Sequence, residues 1–565
     1  MHSQKTHTLS IKNQIILPET RVSSYKPNIW KYDHLLSLTS QYSERKYQIQ
    51  AEKLKEEVLS CTFSKGDESD PVAMLELIDG IDKFGLTSYF EDQTKTSLEK
   101  IIMCMKSIEE DNFYATALCF RILREHGYHA SQDMLKELFD SQGELMMTKK
   151  MSNMKTLLEL VEGSYLSMDG ENLLEDIRLL STKKLNSLLS TISSSDIDTS
   201  FTKEYLHHPS AWRVRWYDVR RHMMMFGQQQ GNNTNPVLLN LAKLNFNIIQ
   251  ATHQKDLKDV IRWWRNLGIV EDLFFARDRM VECFFFAAGI VSEPQHGNIR
   301  KWIAKIYQLV LIIDDVFDIY GSLNDVQQFT RALDKWDPNE VESLPESIQI
   351  CFRALYDTII DISAEIDHQQ KGHGPSALPY LKQGWLNFCK AMLVEAKWYH
   401  EGHIPTLEEY LNNGWISSTV PLVSDYVIYG LTNKSTNQTL DSSKNFQEIF
   451  YHASIVYRLC NDHATTTAEL ERGDVASSII CYMQQENVSE DAARKHVESI
   501  ILNSWKKINY HFNILSPAHR EIAKHIINVA RMGHVMYQFG DGFGVQDGKT
   551  RDQIQLNLIE PITLS

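Results

Sequence analysis

The chain has 565 residues and a formal net charge of −15, with 58 Lys and Arg against 73 Asp and Glu. Hydrophobic residues make up 43% of the sequence, which is enough for a large core and excludes a disordered chain. The acidic balance excludes a nucleic-acid binder and disfavours an anionic membrane surface as a partner. The apolar runs are too short to cross a bilayer, so we expect no membrane span.

The first half of the chain has the periodicity of amphipathic helices. Stretches such as MLELIDGIDKFGL (74–86) and ATALCFRILREHG (115–127) place apolar residues at i, i+3, i+4 and i+7. Because alternating Val, Ile and Thr runs are nearly absent, we predict an all-α protein with two helical domains. A polar stretch over 227–236 separates two helical regions, and Asn235 and Pro236 suit an N-cap and a first helical position. We therefore predict a flexible N-terminal strand over 1–19 and domains over 20–226 and 227–565.

Two arginines open an apolar stretch in the second half. In ARDRMVECFFFAAG (276–289), Arg277 and Arg279 precede a helical segment rich in phenylalanine. Paired guanidiniums present forked donors suited to phosphate oxygens, which favours a functional role in an acidic chain. Phe286 is either a core residue or a cavity residue, and a ring face in a cavity would stabilise a cation.

Three aspartates end the next apolar segment, IYQLVLIIDDVFDIY (306–320). Asp314 and Asp318 are four residues apart and share one helix face, whereas Asp315 lies about 100° around the helix and is expected to support them. Carboxylates in the last turn oppose the helix dipole, so a cation should offset them. Mg²⁺ or Mn²⁺ suits this oxygen set and leaves positions for phosphate oxygens. Taken alone, the pattern fits a solvated helix end equally well.

A second stripe of oxygen-bearing side chains lies in YRLCNDHATTTAELERGD (457–474). Asn461, Thr465 and Glu469 are spaced at i, i+4 and i+8, and Arg458 lies about one turn before them. Taken alone, this is more often a polar surface face. Two such stripes that face each other across a helical bundle would place cations at the mouth of a cavity. A diphosphate is the ligand that needs such a cluster.

The ends of the chain carry weaker signals. The Gly-rich stretch over 540–548 is not in dinucleotide-binding spacing, and we predict a mobile loop that acts as a lid.

The eight cysteines are scattered and suit reduced thiols. The N-terminus has no signal-peptide core and is not typical of a transit peptide, so we expect a cytoplasmic protein.

Taken together, these motifs resemble those of plant class I terpene synthases. ARDRMVECFFFAAG is similar to the RxR segment of that family, LIIDDVFDIYGS to its DDxxD motif and RLCNDHATTTAELERGD to its (N/D)Dxx(S/T)xxxE motif. The resemblance extends from about Arg21 to the C-terminus. It implies a class I terpenoid synthase α-bundle in the C-terminal domain and a catalytically silent, barrel-like helical domain before it.

The resemblance also implies roles for individual residues and a prenyl diphosphate as the substrate. Two of three Mg²⁺ ions, for which Mn²⁺ is an alternative, would be bound by Asp314 and Asp318. The third would be bound by Asn461, Thr465 and Glu469. The diphosphate would be held by Arg277, Arg279 and Arg458 together with the ligands Asp314, Asp318 and Asn461. Support for the motifs would come from Asp315 and Asp462, and pocket or lid positions from Phe286, Tyr457, Tyr537 and Asp541.

One departure from the family concerns its N-terminal RRx8W pattern. Thr20 replaces the first arginine, whereas Arg21 and Trp30 stand at the expected spacing and are further lid candidates. The arginine pair is associated with capping the closed site and with the isomerisation that precedes cyclisation of the ten-carbon substrate. Its loss argues against cyclic monoterpene products. The absence of a DxDD motif argues against cyclisation that is started by protonation.

Within the family, the sequence looks closest to acyclic-product enzymes, the α-farnesene and β-ocimene synthases. The expected cytoplasmic location favours farnesyl diphosphate and (E,E)-α-farnesene. The bulky Tyr457 resembles the phenylalanine that isoprene synthases have at this position and would shrink the pocket. Geranyl diphosphate, converted to β-ocimene, myrcene or linalool, therefore stays open as the substrate, as does a mixed monoterpene and sesquiterpene synthase that uses both diphosphates. We expect a monomer.

Three rival interpretations fit these residues less well. A prenyl chain-elongating enzyme would need a second DDxxD motif, and Asn461 to Glu469 is not one. A di-iron bundle has ExxH pairs at Glu204/His207 and Glu365/His368, but it needs two further inward glutamates. A non-catalytic helical scaffold would give no reason for two hard-oxygen stripes and three arginines.

Overall fold

The computed structural model describes residues 26–63, 70–103, 112–139, 154–191, 197–228, 235–270, 272–370, 376–432, 446–472, 476–546 and 548–564. Helices dominate these residues, and an isolated β-bridge joins Gln538 and Gly540. The all-α prediction is therefore confirmed. Arg21, the strand predicted over 1–19 and most of the stretch 227–236 lie outside the described residues.

The helices of the first half enclose a core of their own. Leu118, Phe120 and Leu160 are almost completely buried in it. Beside it, the guanidinium of the buried Arg121 pairs with Asp79 and Glu159. The helices of this half are α1 (Tyr32–Ser37), α2 (Arg45–Val58), α3 (Pro71–Lys83), α4 (Glu91–Met103), α5 (Phe113–Glu125), α6 (Met154–Ser164), α7 (Asn172–Thr191), α8 (Ile197–His207) and α9 (Arg215–Gln228).

A larger core holds the second half together, with Trp264, Trp302 and Trp385 among its buried members. The helices around it are α10 (Pro236–Leu267), α11 (Met280–Ile290), α12 (Gly297–Asp315), α13 (Leu323–Lys335), α14 (Glu346–Gln369), α15 (Leu378–Glu401), α16 (Leu407–Ser417), α17 (Val420–Leu431), α18 (Gln447–Arg472), α19 (Ser478–Glu486), α20 (Glu490–Ile514), α21 (Pro517–Tyr537) and α22 (Lys549–Ile554). In the part of the chain that the structure covers, no helix combines the length and apolarity needed to cross a membrane.

The larger core also includes residues from the beginning of the chain. Leu35, Tyr42 and Val58 belong to it, and α2 packs along α10. Residues 35–58 therefore pack against the helices of the second half, the following helices form the first core, and residues 214–223 return to the larger core. The domain boundary within 227–236 stays a prediction.

The ends of α10 follow from local sequence signals. As predicted, the Asn235 side chain caps the helix by accepting the Val237 N–H at 3.0 Å, and Pro236 occupies the first turn. The helix stops before Gly268, whose φ of 64° is a left-handed conformation that glycine adopts without a steric penalty.

The C-terminal tail is fastened to α10 by amide side chains. Asn247 donates to the Ile562 carbonyl at 2.8 Å and accepts the Ile562 N–H at 2.7 Å. Gln250 and Gln254 donate to carbonyls between Leu556 and Glu560. The loop that follows α21 is consequently anchored on both sides, by α21 before it and by this tail after it.

Candidate active site

The first predicted metal motif lies at the C-terminal end of α12. The helix continues as a π-helical turn over Val316–Tyr320, which contains Asp318. Asp314 has 35% of its side chain exposed and Asp318 is also partly exposed, whereas Asp315 is fully buried. Turns of this kind within helices are frequent at functional sites. Asp314 and Asp318 thus both reach the surface, as the predicted shared face requires.

Asp315 is turned into the protein. Its carboxylate accepts the backbone N–H of Arg277 at 2.8 Å and lies 2.9 Å from the Arg277 Nε. Burial raises the pKa of Asp315 to about 7, although the Arg277 guanidinium opposes this rise. A carboxylate in this position orients Arg277, which is the geometry expected of a supporting residue.

Arg277 also pairs with Asp314 through its Nη2. One guanidinium therefore lies against two carboxylates of the same motif. A residue predicted to bind diphosphate and a residue predicted to bind metal neutralise each other in this arrangement.

The second predicted motif lies on α18. Asn461 and Glu469 are partly exposed, and Thr465, only 6% exposed, donates its hydroxyl to the Asn461 carbonyl at 3.0 Å. The three side chains are spaced by one helical turn each, so they follow one stripe. The oxygen ligands of the second motif therefore lie along a single line on one helix.

Asp462 points away from this stripe. It accepts the Tyr410 hydroxyl at 2.9 Å and the Ser478 N–H at 3.0 Å. It therefore connects α18 to α16 and to the start of α19. This is again the geometry of a supporting residue.

Arg458 lies one turn before Asn461. Its Nη2 donates to the Ser417 hydroxyl at 2.7 Å and lies 3.7 Å from the nearer Glu395 oxygen. Although burial opposes the shift, surrounding acids that include Glu395 and Glu469 raise the pKa of Arg458. Its Nε is buried and has no hydrogen-bond partner among the described residues. An unsatisfied buried donor next to the second motif is a suitable place for an anion.

Glu395 of α15 links the two motifs, and the sequence analysis did not identify it. Burial raises the pKa of this carboxyl, and the negative charges of Asp462 and Asp314 raise it further. It accepts hydrogen bonds from Asn413 and from Ser417. Because one carboxyl is affected by a charge from each motif, both motifs lie at the same end of the bundle.

Both arginines lie among carboxylates at this end of the bundle. Arg277 pairs with Asp314 and Asp315, and Arg458 lies near Glu395. The two motifs carry hard oxygen ligands on Asp314, Asp318, Asn461, Thr465 and Glu469. Such a donor set fits divalent cations such as Mg²⁺.

A helix break lies beside Arg458. α16 ends at Ser417 and α17 begins at Val420, and between them Thr419 has a φ of 71°. A β-branched residue in this left-handed region costs about 1–3 kcal/mol, and strain of this kind is concentrated at functional sites. The break leaves the Ser417 hydroxyl at the end of α16, where it binds Arg458.

Aromatic rings from four helices and from the C-terminal loop, residues 538–546, form one cluster. The Tyr307 ring lies 4.2 Å from that of Phe286 and 4.9 Å from that of Phe543, and the Tyr457 and Tyr537 rings are 5.7 Å apart. The structure thus brings together Phe286, Tyr457 and Tyr537, which were predicted as pocket residues. Tyr307 and Phe543 join them and were not predicted.

The cluster is continuous with both motifs. The hydroxyls of Tyr307 and Tyr457 are hydrogen-bonded to each other, which connects α12 directly to α18. Tyr307 precedes Asp314 by two turns and Tyr457 precedes Asn461 by one turn, so each lies on the face of its motif. Burial raises the pKa of both tyrosines, and they are neutral phenols at neutral pH.

The other predicted residues lie where the chain ends cover the cluster. Arg279, only 1% exposed, donates to the carbonyls of Phe543 at 2.8 Å and of Lys26 at 3.0 Å. The Trp30 indole also binds next to Arg279, on the first turn of α11. Asp541 accepts the Phe543 N–H at 3.0 Å and shapes its own loop. Arg279 therefore holds backbone in this structure, unlike Arg277, which faces the first motif.

Sequence signals existed for some of the missed residues. Tyr307 is seven residues before Asp314 on the same stripe, and Glu395 is a single acid within the apolar run AMLVEA. Either could have been found by extending the motif faces along their helices. Phe543 lies in a loop without periodicity, so no pattern pointed to it.

The ExxH pairs do not form a metal centre. Glu204 pairs with Arg213 and Arg221, and Glu365 accepts the Trp302 indole N–H. Within the described ranges, no three or more His, Cys, Asp and Glu side chains form a group that could hold a metal ion. This agrees with the two motifs, because Asp315 and Asp462 are turned away and leave each motif with at most two outward carboxylates.

Comparison with known proteins agrees with this architecture. The family description "Terpene synthase, N-terminal domain" matches residues 29–206, and "Terpene synthase family, metal binding domain" matches residues 265–507. An alpha-farnesene synthase of Ricinus communis is 42% identical, covering 97% of both chains. An (E,E)-alpha-farnesene synthase of Malus domestica is 41% identical, covering 97% of this chain and 95% of the relative.

A solved structure has the same fold. The isoprene synthase from grey poplar (Populus x canescens), in complex with three Mg²⁺ ions and dimethylallyl-S-thiolodiphosphate, superimposes with a TM-score of 0.84 at 32% identity. The match covers 95% of this chain and 99% of that chain. The chain therefore belongs to the terpene synthase family, whose members are lyases that act on prenyl diphosphates.

Proposed function

We propose that this terpene synthase ionises farnesyl diphosphate and releases an acyclic sesquiterpene, (E,E)-α-farnesene, in a reaction that requires Mg²⁺. The observation that carries this proposal is its identity of 42% and 41% to two α-farnesene synthases over nearly the full length of each chain. The absence of the first arginine of the RRx8W pattern, where Thr20 stands, supports an acyclic product.

The residues that would hold the metal ions are those of the two motifs. Asp314 and Asp318 would contribute from α12, and Asn461, Thr465 and Glu469 from α18. The hard oxygen ligands of the two motifs support this assignment, as does the isoprene synthase with three Mg²⁺ ions. Mn²⁺ has a similar preference for oxygen ligands and is proposed as a substitute. When bound, the ions neutralise the charge that develops on the departing diphosphate.

The arginines of the site orient the diphosphate. Arg458 has a buried Nε without a partner among the described residues, and this donor is available to a phosphate oxygen. Arg277 is held in place by the buried carboxylate of Asp315, so its guanidinium needs no rearrangement of the backbone to face the diphosphate. Arg279 supports the site indirectly, because its donors bind the segments that cover the rings.

The rings stabilise the prenyl cation after the C–O bond breaks. The faces of Phe286, Tyr307 and Phe543 carry negative quadrupole charge, and a cation above a desolvated ring gains about 2 kcal/mol. The tyrosines of the cluster are neutral phenols and weak bases, so the departing diphosphate is the group that accepts the proton. Loss of that proton leaves an olefin, provided that water is excluded until then.

A second candidate substrate is geranyl diphosphate, which would give β-ocimene, myrcene or linalool. The observation in its favour is the hydrogen bond between Tyr307 and Tyr457, which closes the ring cluster between α12 and α18. A pocket that ends at this pair would hold ten carbons more readily than fifteen. We keep farnesyl diphosphate as the first proposal because full-length similarity covers the entire pocket.

The test supplies farnesyl and geranyl diphosphate separately to the purified protein with Mg²⁺ and identifies products by gas chromatography and mass spectrometry. The expected result is one acyclic olefin from farnesyl diphosphate and no turnover by Asp314→Ala. A dominant cyclic product would contradict the acyclic proposal, and faster turnover of geranyl diphosphate would favour the second candidate. Normal turnover by Asp314→Ala would contradict the assigned site.

We also propose that the protein is a monomer and that it is located in the cytoplasm. The described cysteines are free thiols, seven in number, and six of them are buried, which suits a reducing compartment. A fluorescent fusion tests the location and sedimentation velocity tests the oligomeric state. Accumulation in plastids or a stable dimer would contradict these two parts.

A further inference from the structure

The first turn of α11 lies between the two ends of the chain. On one side is the N-terminal segment, defined here as residues 26–32, and on the other is the C-terminal loop, defined as residues 538–546. Asp278 binds the N-terminal segment through Asn28, at 3.1 Å, and through the Tyr32 hydroxyl. The two segments, whose residues Ile29 and Gln546 are 517 positions apart in the sequence, thus meet at the start of α11.

Glu282 is the carboxylate at the centre of this contact and is only 1% exposed. Its Oε1 accepts the Trp30 indole N–H at 2.7 Å and the Gln546 side-chain amide at 3.0 Å. One donor comes from the N-terminal segment and the other from the C-terminal loop. Its Oε2 is buried and has no hydrogen-bond partner among the described residues.

Gln546 completes the junction and is itself 5% exposed. Its amide nitrogen also lies 3.2 Å from the Asn28 Oδ1, and its amide oxygen accepts the Ile29 N–H at 3.1 Å. One side chain of the C-terminal loop therefore binds the N-terminal segment twice and Glu282 once. These contacts join the two segments to each other and to α11.

The junction is connected to the ring cluster by Phe543. Its ring lies 4.9 Å from the Tyr307 ring, and its carbonyl is held by Arg279. A shift of the C-terminal loop therefore moves a ring that lines the site proposed for the cation. The contacts that hold this loop in place therefore also hold the Phe543 ring in the cluster.

Burial of Glu282 reduces the free-energy difference between the closed arrangement and an open one. A buried carboxylate with one unsatisfied oxygen is costly, and both of its side-chain donors come from the covering segments. When the segments leave, water solvates the carboxylate, which offsets part of the hydrogen bonding that is lost. Opening therefore has a modest free-energy cost, as repeated substrate entry and product release require.

We propose that Glu282 and Gln546 are positioning residues that join the N-terminal segment and the C-terminal loop into one cover, so that the two open and close together and keep water from the prenyl cation. The consequence for products rests on the proposed function. If water reaches the cation, its oxygen bonds to the allylic carbon and one of its protons passes to bulk water. The product is then a terpene alcohol and not an olefin.

The test compares Trp30→Phe, Gln546→Ala and the double variant. Trp30→Phe removes one indole donor and leaves Asn28 and Tyr32 on Asp278, so the segment keeps its other attachments. The matched control is Asn247→Ala, which removes two hydrogen bonds from the same C-terminal region at Ile562, away from the junction. Two readouts are used: backbone hydrogen exchange and the ratio of alcohol to olefin.

Hydrogen exchange measures the coupling without any substrate. In Trp30→Phe, the amides of Phe543 and Val545, which are bonded within the C-terminal loop, should exchange about tenfold faster, because one bond to a charged acceptor is lost. Unchanged exchange in the loop would overturn the proposal. Because this readout needs no turnover, it holds even if the proposed substrate is wrong.

The product ratio measures the effect on water. Each single variant should raise the alcohol share about tenfold, and the double variant should raise it no further than the larger single effect, because both changes release the same cover. Additive effects would show two independent covers, and an equal rise in Asn247→Ala would show nonspecific loosening. Either result would overturn the proposal.

Discussion

Replacing Asp315 by alanine should lower the free energy of unfolding far more than the same change at its neighbour Asp314. Asp315 is fully buried and binds both the backbone N–H and the Nε of Arg277. Its removal leaves a buried guanidinium without that partner, and breaking a buried pair in this way costs about 3–5 kcal/mol. Burial of the Asp315 carboxylate is itself unfavourable, so we expect about 3 kcal/mol, at the lower end of this range.

Asp314→Ala is the matched control because it is also an aspartate-to-alanine change and also removes a partner of Arg277. Its side chain is 35% exposed, and Arg277 keeps Asp315 when Asp314 is removed. Partly exposed pairs contribute about 0–1 kcal/mol, and loss of Asp314 also removes a repulsion from Asp315. We therefore expect the free energy of unfolding of Asp314→Ala to lie within about 1 kcal/mol of that of the parent protein, whereas its turnover should be lost.

The assay is urea unfolding followed by far-ultraviolet circular dichroism, with turnover measured on the same samples. The expected pattern is a lower unfolding midpoint for Asp315→Ala alone and loss of turnover for Asp314→Ala. Equal midpoints for the two variants would refute the distinction between a buried support and an outward ligand. A large loss of stability in Asp314→Ala would refute it as well.

Four further predictions concern metal, pH and pocket size. Thr465→Ala should raise the Mg²⁺ concentration for half-maximal turnover by about tenfold, whereas Thr467→Ala, an exposed position on the same helix, should leave it unchanged. Chelation of the metal should abolish turnover, and added Mg²⁺ should restore it; turnover without divalent ions would contradict the assignment. Burial lowers the pKa of His534 from 6.5 to about 3, so below pH 6.5 the unfolded state binds a proton that the folded state does not. The free energy of unfolding should fall by about 2 kcal/mol from this residue as the pH is lowered to about 5, and His534→Gln should lack this part of the pH dependence in urea unfolding. Tyr457→Ala should raise kcat/KM for farnesyl relative to geranyl diphosphate by about tenfold in a competition assay, and an unchanged ratio would show that this side chain does not limit the pocket.

The residue types and spacing of the motifs were readable from the sequence because helical geometry is local. A spacing of four residues places two side chains on one face of a regular α-helix. The all-α class and the cap of α10 at Asn235 are local features of the same kind. The π-helical turn over Val316–Tyr320, which contains Asp318, was not readable from this spacing.

Partnership between distant residues was not readable from the sequence. Glu395 contacts Ser417 and Arg458, and the hydroxyl of Tyr307 is hydrogen-bonded to that of Tyr457, only because helices far apart in the chain pack side by side. Periodicity states which face a residue occupies but not which helix covers it.

The two arginines of the RxR segment show most clearly what could be read from the sequence and what depends on the tertiary structure. The sequence determined that Arg277 and Arg279 precede an apolar helix, and their spacing of two residues suggested one shared task. The tertiary structure directs Arg277 to Asp314 and Asp315 and directs Arg279 to the carbonyls of Phe543 and Lys26. Local chemistry fixes which groups a side chain can bind, whereas the packing of remote segments decides which of those groups lie within reach.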